Sequence, residues 1–330
     1  MQYRKLGKSD IEVPVVSFGA WAIGGWMWGG SDDEEAIRAI HCAIDHGVDC
    51  IDTAPIYGMG HSEKVVGKAI EGKRDQVVIA TKCCLRWDKK EGEFFFDTKD
   101  NDGIARKVYK NLSKESIIWE CEQSLNRMNI EYIDLLQCHW PDATTPLEET
   151  MDGLNTLMQQ GKVRAVGVSN FTVEMMETCL KHGTIVSEQS KYNALERDLE
   201  KEIIPFCVQN DIGILAYCPI AQGLLTGTVT PDRTFKDGDL RQNSPLFSQE
   251  NRKNVLAMLE QVQSIAETHN ITLGQLFIAW LVAQPGMTSA LVGARNEAQV
   301  IENAAAGDVK LSEDELKKIR DAVENMPPLG

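Results

Sequence analysis

Short apolar segments alternate with amphipathic segments along nearly the whole chain. Each apolar segment has the length and composition of a buried strand, and each amphipathic segment repeats apolar residues at helical spacing, as Ala36, Ile40 and Ala43 do. The pattern predicts eight main strands, at 15–19, 48–52, 77–82, 133–139, 163–167, 185–189, 213–217 and 288–292. It predicts helices that begin after a capping Ser31 or Asp32 and at 61–70, 114–127, 147–160, 172–182, 198–209, 250–269, 272–283, 296–305 and 312–324.

Strands separated by helices are typical of a parallel α/β fold, either a closed barrel or a doubly wound open sheet. An open sheet gathers its ligand groups at one switch point, whereas a barrel collects them from the ends of many strands. Polar or chemistry-bearing residues follow seven of the strands here, namely Asp52, Lys82, His139, Ser169 with Asn170, Gln189, Tyr217, and Gly293 to Arg295. We therefore predict a (β/α)8 TIM barrel as a single domain over residues 1–330. An N-terminal β-hairpin within residues 2–13 and extra helices near the C-terminus complete it.

The charge balance excludes some classes of partner. The chain has 34 basic and 49 acidic residues, which gives a net charge of −15, and the acidic residues are spread along the helices. Nucleic acid and anionic membrane surfaces are poor partners for such a protein. An anionic ligand must instead be held by a local basic pocket. The first residues contain no apolar run of signal length, and no later run approaches that of a membrane helix, so we predict a cytoplasmic protein.

Metal and redox motifs are missing from the sequence. The nine cysteines include no C-x-x-C pair and lie mostly in apolar segments, so we expect them to be reduced and the adjacent Cys83 and Cys84 to be packing residues. Neither H-E-x-x-H nor a P-loop occurs, and no metal is predicted. The segment 58–63 half resembles a dinucleotide fingerprint, but Glu63 stands where the third glycine belongs. A Rossmann interpretation is therefore disfavoured.

Four residues suggest carbonyl chemistry. Hydride addition to a carbonyl creates an alkoxide, which needs a proton donor within hydrogen-bond reach. Tyr57 is a candidate, although its ordinary pKa of about 10 makes it a reluctant acid. A nearby Lys82 ammonium is expected to bring that pKa down, and pairing with Asp52 is expected to keep the lysine charged. His139 can hold the substrate oxygen. Taken singly, Asp52 could pair with any cation, Tyr57 could cap a loop, and His139 could be a core histidine.

Five motifs occur in a fixed order: D-T-A-P-I-Y-G at 52–58 with G-x-S-E at 60–63, T-K at 81–82, L-L-Q-C-H-W-P-D at 135–142, G-K-V-R-A-V-G-V-S-N-F at 161–171, and V-G-A-R-N-E-A-Q-V-I-E-N at 292–303. Together they resemble the motifs of the aldo-keto reductases, specifically the bacterial type related to potassium-channel beta subunits. The resemblance covers nearly the whole chain and implies a (β/α)8 barrel. It also implies that Asp52, Tyr57, Lys82 and His139 form a catalytic tetrad.

The same resemblance implies a nicotinamide dinucleotide cofactor. Ser169, Asn170 and Gln189 match the residues that hold the carboxamide, and Tyr217 matches the aromatic residue that stacks on the nicotinamide ring. The pyrophosphate and adenosine end is matched by Gly293, Ala294, Arg295, Gln299, Glu302 and Asn303. The planar guanidinium of Arg295 suits a 2′-phosphate, so we predict NADP(H) over NAD(H). A solvated surface arginine is the alternative.

Substrate specificity is expected in the loops 20–30, 84–112 and 219–249. Five tryptophans on or beside them predict an aromatic pocket for aldehydes, ketones or sugar carbonyls: Trp21, Trp26, Trp28, Trp87 and Trp140. The 84–112 segment departs from shorter family members and has no assigned role. The chain ends shortly after Pro328, so we expect no long C-terminal lid and no bulky, steroid-like substrate.

The sequence thus predicts an NADPH-dependent reductase of aldehyde or ketone carbonyls with Tyr57 as the general acid. Two alternatives stay open. One is a sugar or polyol dehydrogenase that works in the oxidative direction. The other is a nucleotide-sensing, non-catalytic subunit of the potassium-channel beta type. The sequence predicts neither the physiological substrate nor the oligomeric state.

Overall fold

Eight short parallel strands close into a barrel in the computed structural model, which describes all of residues 1–330. Numbered along the chain, the strands are β1 (Tyr3–Lys5), β2 (Glu12–Pro14), β3 (Val16–Gly19), β4 (Cys50–Asp52), β5 (Val78–Cys83), β6 (Leu85–Arg86), β7 (Glu93–Lys99), β8 (Ala105–Lys110), β9 (Ile133–Cys138), β10 (Val163–Ser169), β11 (Ser187–Lys191), β12 (Gly213–Tyr217) and β13 (Met287–Gly293). The barrel contains β3, β4, β5 and β9 to β13 in chain order, and β13 pairs with β3 to close it. The predicted (β/α)8 barrel is confirmed.

Ten helices connect or follow the strands: α1 (Asp33–Asp45), α2 (His61–Ala69), α3 (Lys114–Met128), α4 (Leu147–Gln159), α5 (Val173–His182), α6 (Ile203–Asn210), α7 (Gln249–His269), α8 (Leu273–Val282), α9 (Glu297–Ala305) and α10 (Glu313–Glu324). All of them except α2, α4 and α6 have an N-terminus capped by a side chain, as where Asp32 accepts a hydrogen bond of 2.8 Å from the Glu35 backbone N–H. The extra helices α7 and α10 pack against each other, as expected near the C-terminus. None of the helices combines the length and the apolar character needed to cross a bilayer.

The N-terminal hairpin covers one end of the barrel. Strands β1 and β2 pair antiparallel, and Leu6, Ile11 and Val13 pack with apolar residues from the barrel interior. The turn of the hairpin approaches the barrel closely, because a Cβ on Gly7 would clash with the carbonyl oxygen of Val186, just before β11. The hairpin therefore seals the amino-terminal ends of the strands and leaves the carboxyl ends open.

Two segments differ from the sequence-based expectation. The helix expected over 198–209 is a short 3-10 turn at Asp198–Glu200, followed by α6 from Ile203. Pro205 explains the late start, since proline is tolerated only within the first turn of a helix. The 84–112 segment is more than a loop, because β6, β8 and β7 form a three-stranded antiparallel sheet. Both faces of β7 are partly exposed and a bulge interrupts its register, so it lacks a clear strand pattern.

Candidate active site

Four predicted residues meet at the open end of the barrel. Asp52 is the last residue of β4, Lys82 lies in β5, and His139 directly follows β9. Tyr57 lies in the loop between β4 and α2. Because parallel strands of a barrel end on the same face, these side chains converge there.

The ammonium of Lys82 is the centre of the group. Its Nζ donates to Asp52 Oδ2 at 2.7 Å, to the Thr53 carbonyl oxygen at 3.0 Å and to Tyr57 Oη at 3.4 Å. An ammonium has three N–H donors, so each of them has an acceptor. Lys82 is 1% exposed and Asp52 is 4% exposed. The lysine is therefore held in a single position, and its charge is balanced by one carboxylate.

Burial governs the protonation states of the site. It lowers the pKa of Lys82, and the Asp52 carboxylate opposes that shift. Burial, followed by the negative charge of Asp52, raises the pKa of Tyr57 well above its ordinary value. Burial and the Lys82 charge together hold the pKa of His139 well below its ordinary value. The site near neutral pH thus contains a neutral phenol and a neutral imidazole.

The direction of the Tyr57 shift is opposite to our expectation that Lys82 would lower it. The main physical reason is burial of the phenol, and the negative charge of Asp52 adds to it. The phenol faces an ion pair whose charges largely cancel, so the cost of burying a phenolate dominates. The consequence is a tyrosine that keeps its proton until an acceptor arrives.

The predicted nicotinamide residues form one network with the tetrad. Asn170 Nδ2 donates to the His139 carbonyl oxygen at 3.0 Å, and Tyr217 Oη donates to Asn170 Oδ1 at 2.9 Å. Ser169 Oγ donates to the Gln189 carbonyl oxygen at 2.7 Å, while Gln189 Nε2 donates to Asp52 Oδ1 at 2.8 Å. Amide and hydroxyl groups from three strands are thus gathered beside the reacting residues. A donor and acceptor set of this kind fits a carboxamide, and the Tyr217 ring can stack on a flat heterocycle.

A groove of about 600 Å³ lies between the loops 20–30 and 219–249 and the N-terminus of α9, and no residue of the tetrad lines it. Its lining includes four cations and three acids: Arg233, Lys236, Arg241, Arg295, Asp32, Glu35 and Asp239. Arg241 is paired with Asp239 at 2.6 Å, whereas Arg295 is exposed and has no ion-pair partner. Gly293 has only the Gly19 carbonyl oxygen near the place where its Cβ would lie, which leaves its outer side open. The groove can accept an anionic, extended ligand.

The remaining residues predicted for the adenosine end differ in whether they contact the segment around Arg295. Gln299 Oε1 accepts a hydrogen bond of 2.9 Å from the Arg295 backbone N–H, and Asn303 Nδ2 donates to the Gly293 carbonyl oxygen at 3.3 Å. Both side chains therefore shape the segment around Arg295. Glu302 instead accepts a hydrogen bond of 2.7 Å from Thr272 Oγ1 at the start of α8, and it does not line the groove.

Sequence reasoning missed the basic residues of the 219–249 loop. Arg233, Lys236 and Arg241 lie in a segment without regular periodicity, so no pattern assigned them to the groove. A signal did exist, because clustered cations are informative in a chain of net charge −15.

The five tryptophans predicted to line an aromatic pocket have different surroundings. Trp21 stacks on Tyr57 with ring centroids 6.0 Å apart, and Trp28 meets Trp21 edge to face at 5.4 Å. Trp140 follows His139 and is half-buried, as is Trp87. Trp26 is different, since it is 7% exposed and its Nε1 donates to Thr98 Oγ1 at 3.0 Å.

Trp26 therefore anchors its loop to β7 and does not line the pocket. The structure adds Phe95 and Phe96 of β7 to the aromatic group, next to Trp140 and Trp26 respectively. The run of three phenylalanines at 94–96 was the available signal.

No group of three or more His, Cys, Asp or Glu residues is arranged to hold a metal ion. All nine cysteines are free. A hydrogen bond with Cys138, followed by burial, raises the pKa of Cys83 well above the ordinary value of a thiol, and burial does the same to the pKa of Cys84. Cys84 Sγ donates to the Trp140 carbonyl oxygen at 3.2 Å. The adjacent cysteines are thus buried, protonated packing residues.

Comparisons with known proteins agree with this geometry. The model of the Aldo/keto reductase family matches residues 15–324. An NADH-specific methylglyoxal reductase of Escherichia coli is 40% identical over 325 residues, which cover 97% of each chain. A probable voltage-gated potassium channel subunit beta of Arabidopsis thaliana is 33% identical and covers 99% of this chain and 98% of the relative. Among solved structures, a glycerol dehydrogenase from Gluconobacter oxydans matches with a TM-score of 0.89 and 37% identity over 99% of this chain and 96% of its own.

Proposed function

Because the chain belongs to the aldo/keto reductase family, we propose that it is an NADPH-dependent reductase of small aldehydes and ketones in which Tyr57 is the general acid. The family resemblance read from the motifs is confirmed by the match over residues 15–324, and the enzyme class is that of an oxidoreductase acting on carbonyls and alcohols. The cofactor preference, the direction of reaction and the residue roles belong to the proposal. The cytoplasmic location stays a prediction.

The contacts of Lys82 carry the proposal. When bound, the nicotinamide cofactor supplies a hydride to the carbonyl carbon. Negative charge then develops on the carbonyl oxygen, and Tyr57 donates its proton to that oxygen. The Lys82 ammonium, 3.4 Å from Tyr57 Oη, stabilises the phenolate that is left. His139, whose ring centroid lies 5.9 Å from that of Tyr57, is neutral and can donate a hydrogen bond to the same oxygen.

The residues around Asn170 would hold the nicotinamide end. Ser169, Asn170 and Gln189 offer the amide and hydroxyl groups that a carboxamide needs, and Tyr217 offers a ring face. Asn170 is fixed from two sides, by the His139 carbonyl oxygen and by Tyr217 Oη. A side chain that is already fixed loses little conformational entropy when a ligand binds, which supports the assignment of Asn170 to the nicotinamide end.

The variant Tyr57→Phe tests whether Tyr57 is the general acid. The variant keeps the ring that stacks on Trp21 and loses only the proton donor, so NADPH should still bind and quench tryptophan fluorescence. Reduction of a test aldehyde, followed through NADPH consumption, should fall by about 10²- to 10⁴-fold, the usual contribution of a general acid. Tyr132→Phe is the matched control, because Tyr132 packs on Arg74 away from the tetrad. Full activity of Tyr57→Phe would refute the assignment.

The preference for NADPH rests on Arg295. Its guanidinium is exposed beside the groove and has no ion-pair partner, which suits a 2′-phosphate. The NADH specificity of the Escherichia coli relative weighs against it. Arg295→Ala should weaken NADPH binding by about 1.5 to 3 kcal/mol, which is roughly 10- to 150-fold in Kd, and leave NADH binding unchanged. Arg38→Ala, an exposed arginine on α1, is the control. An unchanged ratio of NADPH to NADH affinity would overturn the preference.

Two alternatives have support from the comparisons. The glycerol dehydrogenase from Gluconobacter oxydans favours the oxidative direction, and initial rates measured with alcohols and with carbonyls would decide between the two directions. The channel subunit of Arabidopsis thaliana favours a nucleotide-sensing role. NADPH binding without turnover on a broad carbonyl panel would support that role. The complete hydrogen-bonded set around Lys82 argues for catalysis.

A further inference from the structure

The sheet inserted between β5 and α3 is attached to the catalytic face of the barrel. It is formed by β6, β8 and β7. Trp26 Nε1 donates to Thr98 Oγ1 at 3.0 Å, and Asn101 Nδ2 donates to the Gly24 carbonyl oxygen at 2.9 Å. Gly24 in turn lies against Tyr57, because a Cβ on Gly24 would be 3.0 Å from the Tyr57 carbonyl carbon. The insertion is thus fixed to the loop that packs on the proposed general acid.

The two faces of β7 have different surroundings. Phe94 lies on the outer face, is 48% exposed and meets Tyr109 at 5.7 Å. Phe95 lies on the opposite face, where its ring centroid is 5.4 Å from that of Trp140. The register shift between Phe94 and Phe96 turns Phe96 to the inner side as well, where it stacks on Trp26 at 6.2 Å. The bulge therefore places two consecutive aromatic rings toward the barrel.

Trp140 links Phe95 to the reacting groups along the chain. Trp140 is the residue after His139, and the His139 ring meets the Tyr57 ring at 5.9 Å. Trp21 stacks on Tyr57 at 6.0 Å. Phe95, Trp140 and Trp21 are all half-buried, unlike the fully buried aromatic residues of the core. Half-buried rings around polar reactive groups are typical of a ligand wall.

The Phe95 ring is held in position by a neighbouring ammonium group. Lys110 Nζ lies 5.1 Å from the centre of the Phe95 ring and is paired with Glu93 Oε1 at 2.9 Å. The side chain of Lys110 is 12% exposed, so this support is largely shielded from water. A ring held by a cation on one side and by Trp140 on another gives a wall with a defined position.

We propose that Phe95 forms, with Trp140, the wall of the substrate pocket opposite Trp21 and limits the length of the carbonyl compounds that reach Tyr57. The favoured substrates are short-chain aldehydes and ketones. This inference rests on the proposed reductase function and identifies Phe95 as the residue of the 84–112 segment that sets specificity.

The test is a chain-length profile. Values of kcat/KM are measured with NADPH for straight-chain aldehydes from two to eight carbons, using wild type, Phe95→Ala and Phe94→Ala. Wild type should favour the short members. Phe95→Ala should raise kcat/KM for the long members relative to the short ones by about 10-fold or more, because each methylene accommodated in an apolar pocket changes kcat/KM by about 10- to 200-fold. Phe94→Ala, one residue away on the outer face, should keep the wild-type profile.

A second variant should shift the chain-length profile in the opposite direction, and it tests the inference even if Phe95→Ala fails to fold. Phe95→Trp fills the pocket further and should lower kcat/KM for the longer aldehydes while NADPH binding is unchanged. If wild type is active and neither Phe95 variant changes the profile beyond Phe94→Ala, this inference is wrong and the proposed function stands. If wild type reduces none of the carbonyls while it binds NADPH, the proposed function fails and this inference with it.

Discussion

Asp52→Asn removes the one carboxylate that neutralises a buried ammonium. Asp52 Oδ2 lies 2.7 Å from Lys82 Nζ, and both residues are almost fully buried. Asparagine has nearly the same shape. With its side-chain oxygen accepting from Gln189 Nε2, as Asp52 Oδ1 does at 2.8 Å, its NH2 group faces Lys82 Nζ, so the hydrogen bond from the lysine is lost together with the charge. The substitution therefore isolates the loss of charge from the loss of volume.

The expected loss of stability follows from the protonation of Lys82. A buried ammonium without a counter-charge gives up its proton, whereas the same lysine in the unfolded chain has a pKa of about 10.4. At about 1.4 kcal/mol for each pH unit, holding it neutral at pH 7 costs at most about 4.6 kcal/mol. That ceiling agrees with the roughly 3 to 5 kcal/mol lost when one partner of a buried pair is removed.

The free energy of unfolding of the variant should rise with pH. The folded variant binds fewer protons than the unfolded chain, so its free energy of unfolding rises with pH until the unfolded lysine also loses its proton near pH 10.4. At pH 9 the expected deficit is about 1.9 kcal/mol, well below the value at pH 7. Wild type changes less over this range, because Asp52 opposes the lowering of the Lys82 pKa.

Urea unfolding followed by tryptophan fluorescence at pH 7 and pH 9 measures the effect. Asp45→Asn, an exposed aspartate without an ion pair, is the control for removing one acidic charge. The double variant Asp52→Asn with Lys82→Met removes both charges and should recover part of the stability. A deficit that is the same at both pH values, or under about 1 kcal/mol at pH 7, would refute the reasoning.

Two further predictions concern residues outside the tetrad. Burial raises the pKa of Glu188 to about 7, so its stabilising contribution is fully present below the unfolded pKa of about 4.3 and is lost as pH rises through about 7. Between pH 5 and pH 8 the free energy of unfolding of Glu188→Gln, measured with urea, should therefore rise by up to about 3 kcal/mol relative to that of wild type. A difference between the two proteins that does not change with pH would contradict this. Gly67→Ala should lower the free energy of unfolding by about 1 to 3 kcal/mol, since its Cβ would lie 2.6 Å from backbone atoms of Met128. Gly274→Ala is the control and should be neutral in the same measurement, because its Cβ would lie 3.5 Å from Thr226 Cγ2, which is ordinary van der Waals contact.

The barrel and the grouping of the tetrad could be predicted because both follow from one rule. Parallel strands of a barrel end on one face, so polar residues at strand ends converge even when they are distant in sequence. His139 lies 57 positions after Lys82 in the sequence, yet each of the two residues lies at or just after the end of a strand. The bounds of most helices also followed from their periodicity and capping residues.

Other features depend on contacts that no local pattern records. The inserted sheet is stabilised by Trp26 and Asn101, which link segments more than seventy positions apart. The direction of the Tyr57 pKa shift depends on the burial of the phenol and on the negative charge of Asp52. The cations of the 219–249 loop reach the groove through irregular backbone. Each of these is a long-range contact, and sequence periodicity reports only short-range structure.

The charge distribution explains why those cations matter. The net charge of −15 repels an anionic dinucleotide at long range, but at physiological ionic strength this repulsion is screened over about 8 Å. Within the groove, Arg241 is already paired with Asp239, so it contributes little free positive charge. Arg233, Lys236 and Arg295 have no ion-pair partner there, and each is exposed at the groove. We therefore propose that attraction of the cofactor phosphates comes from these three side chains at contact distance and not from the field of the protein as a whole.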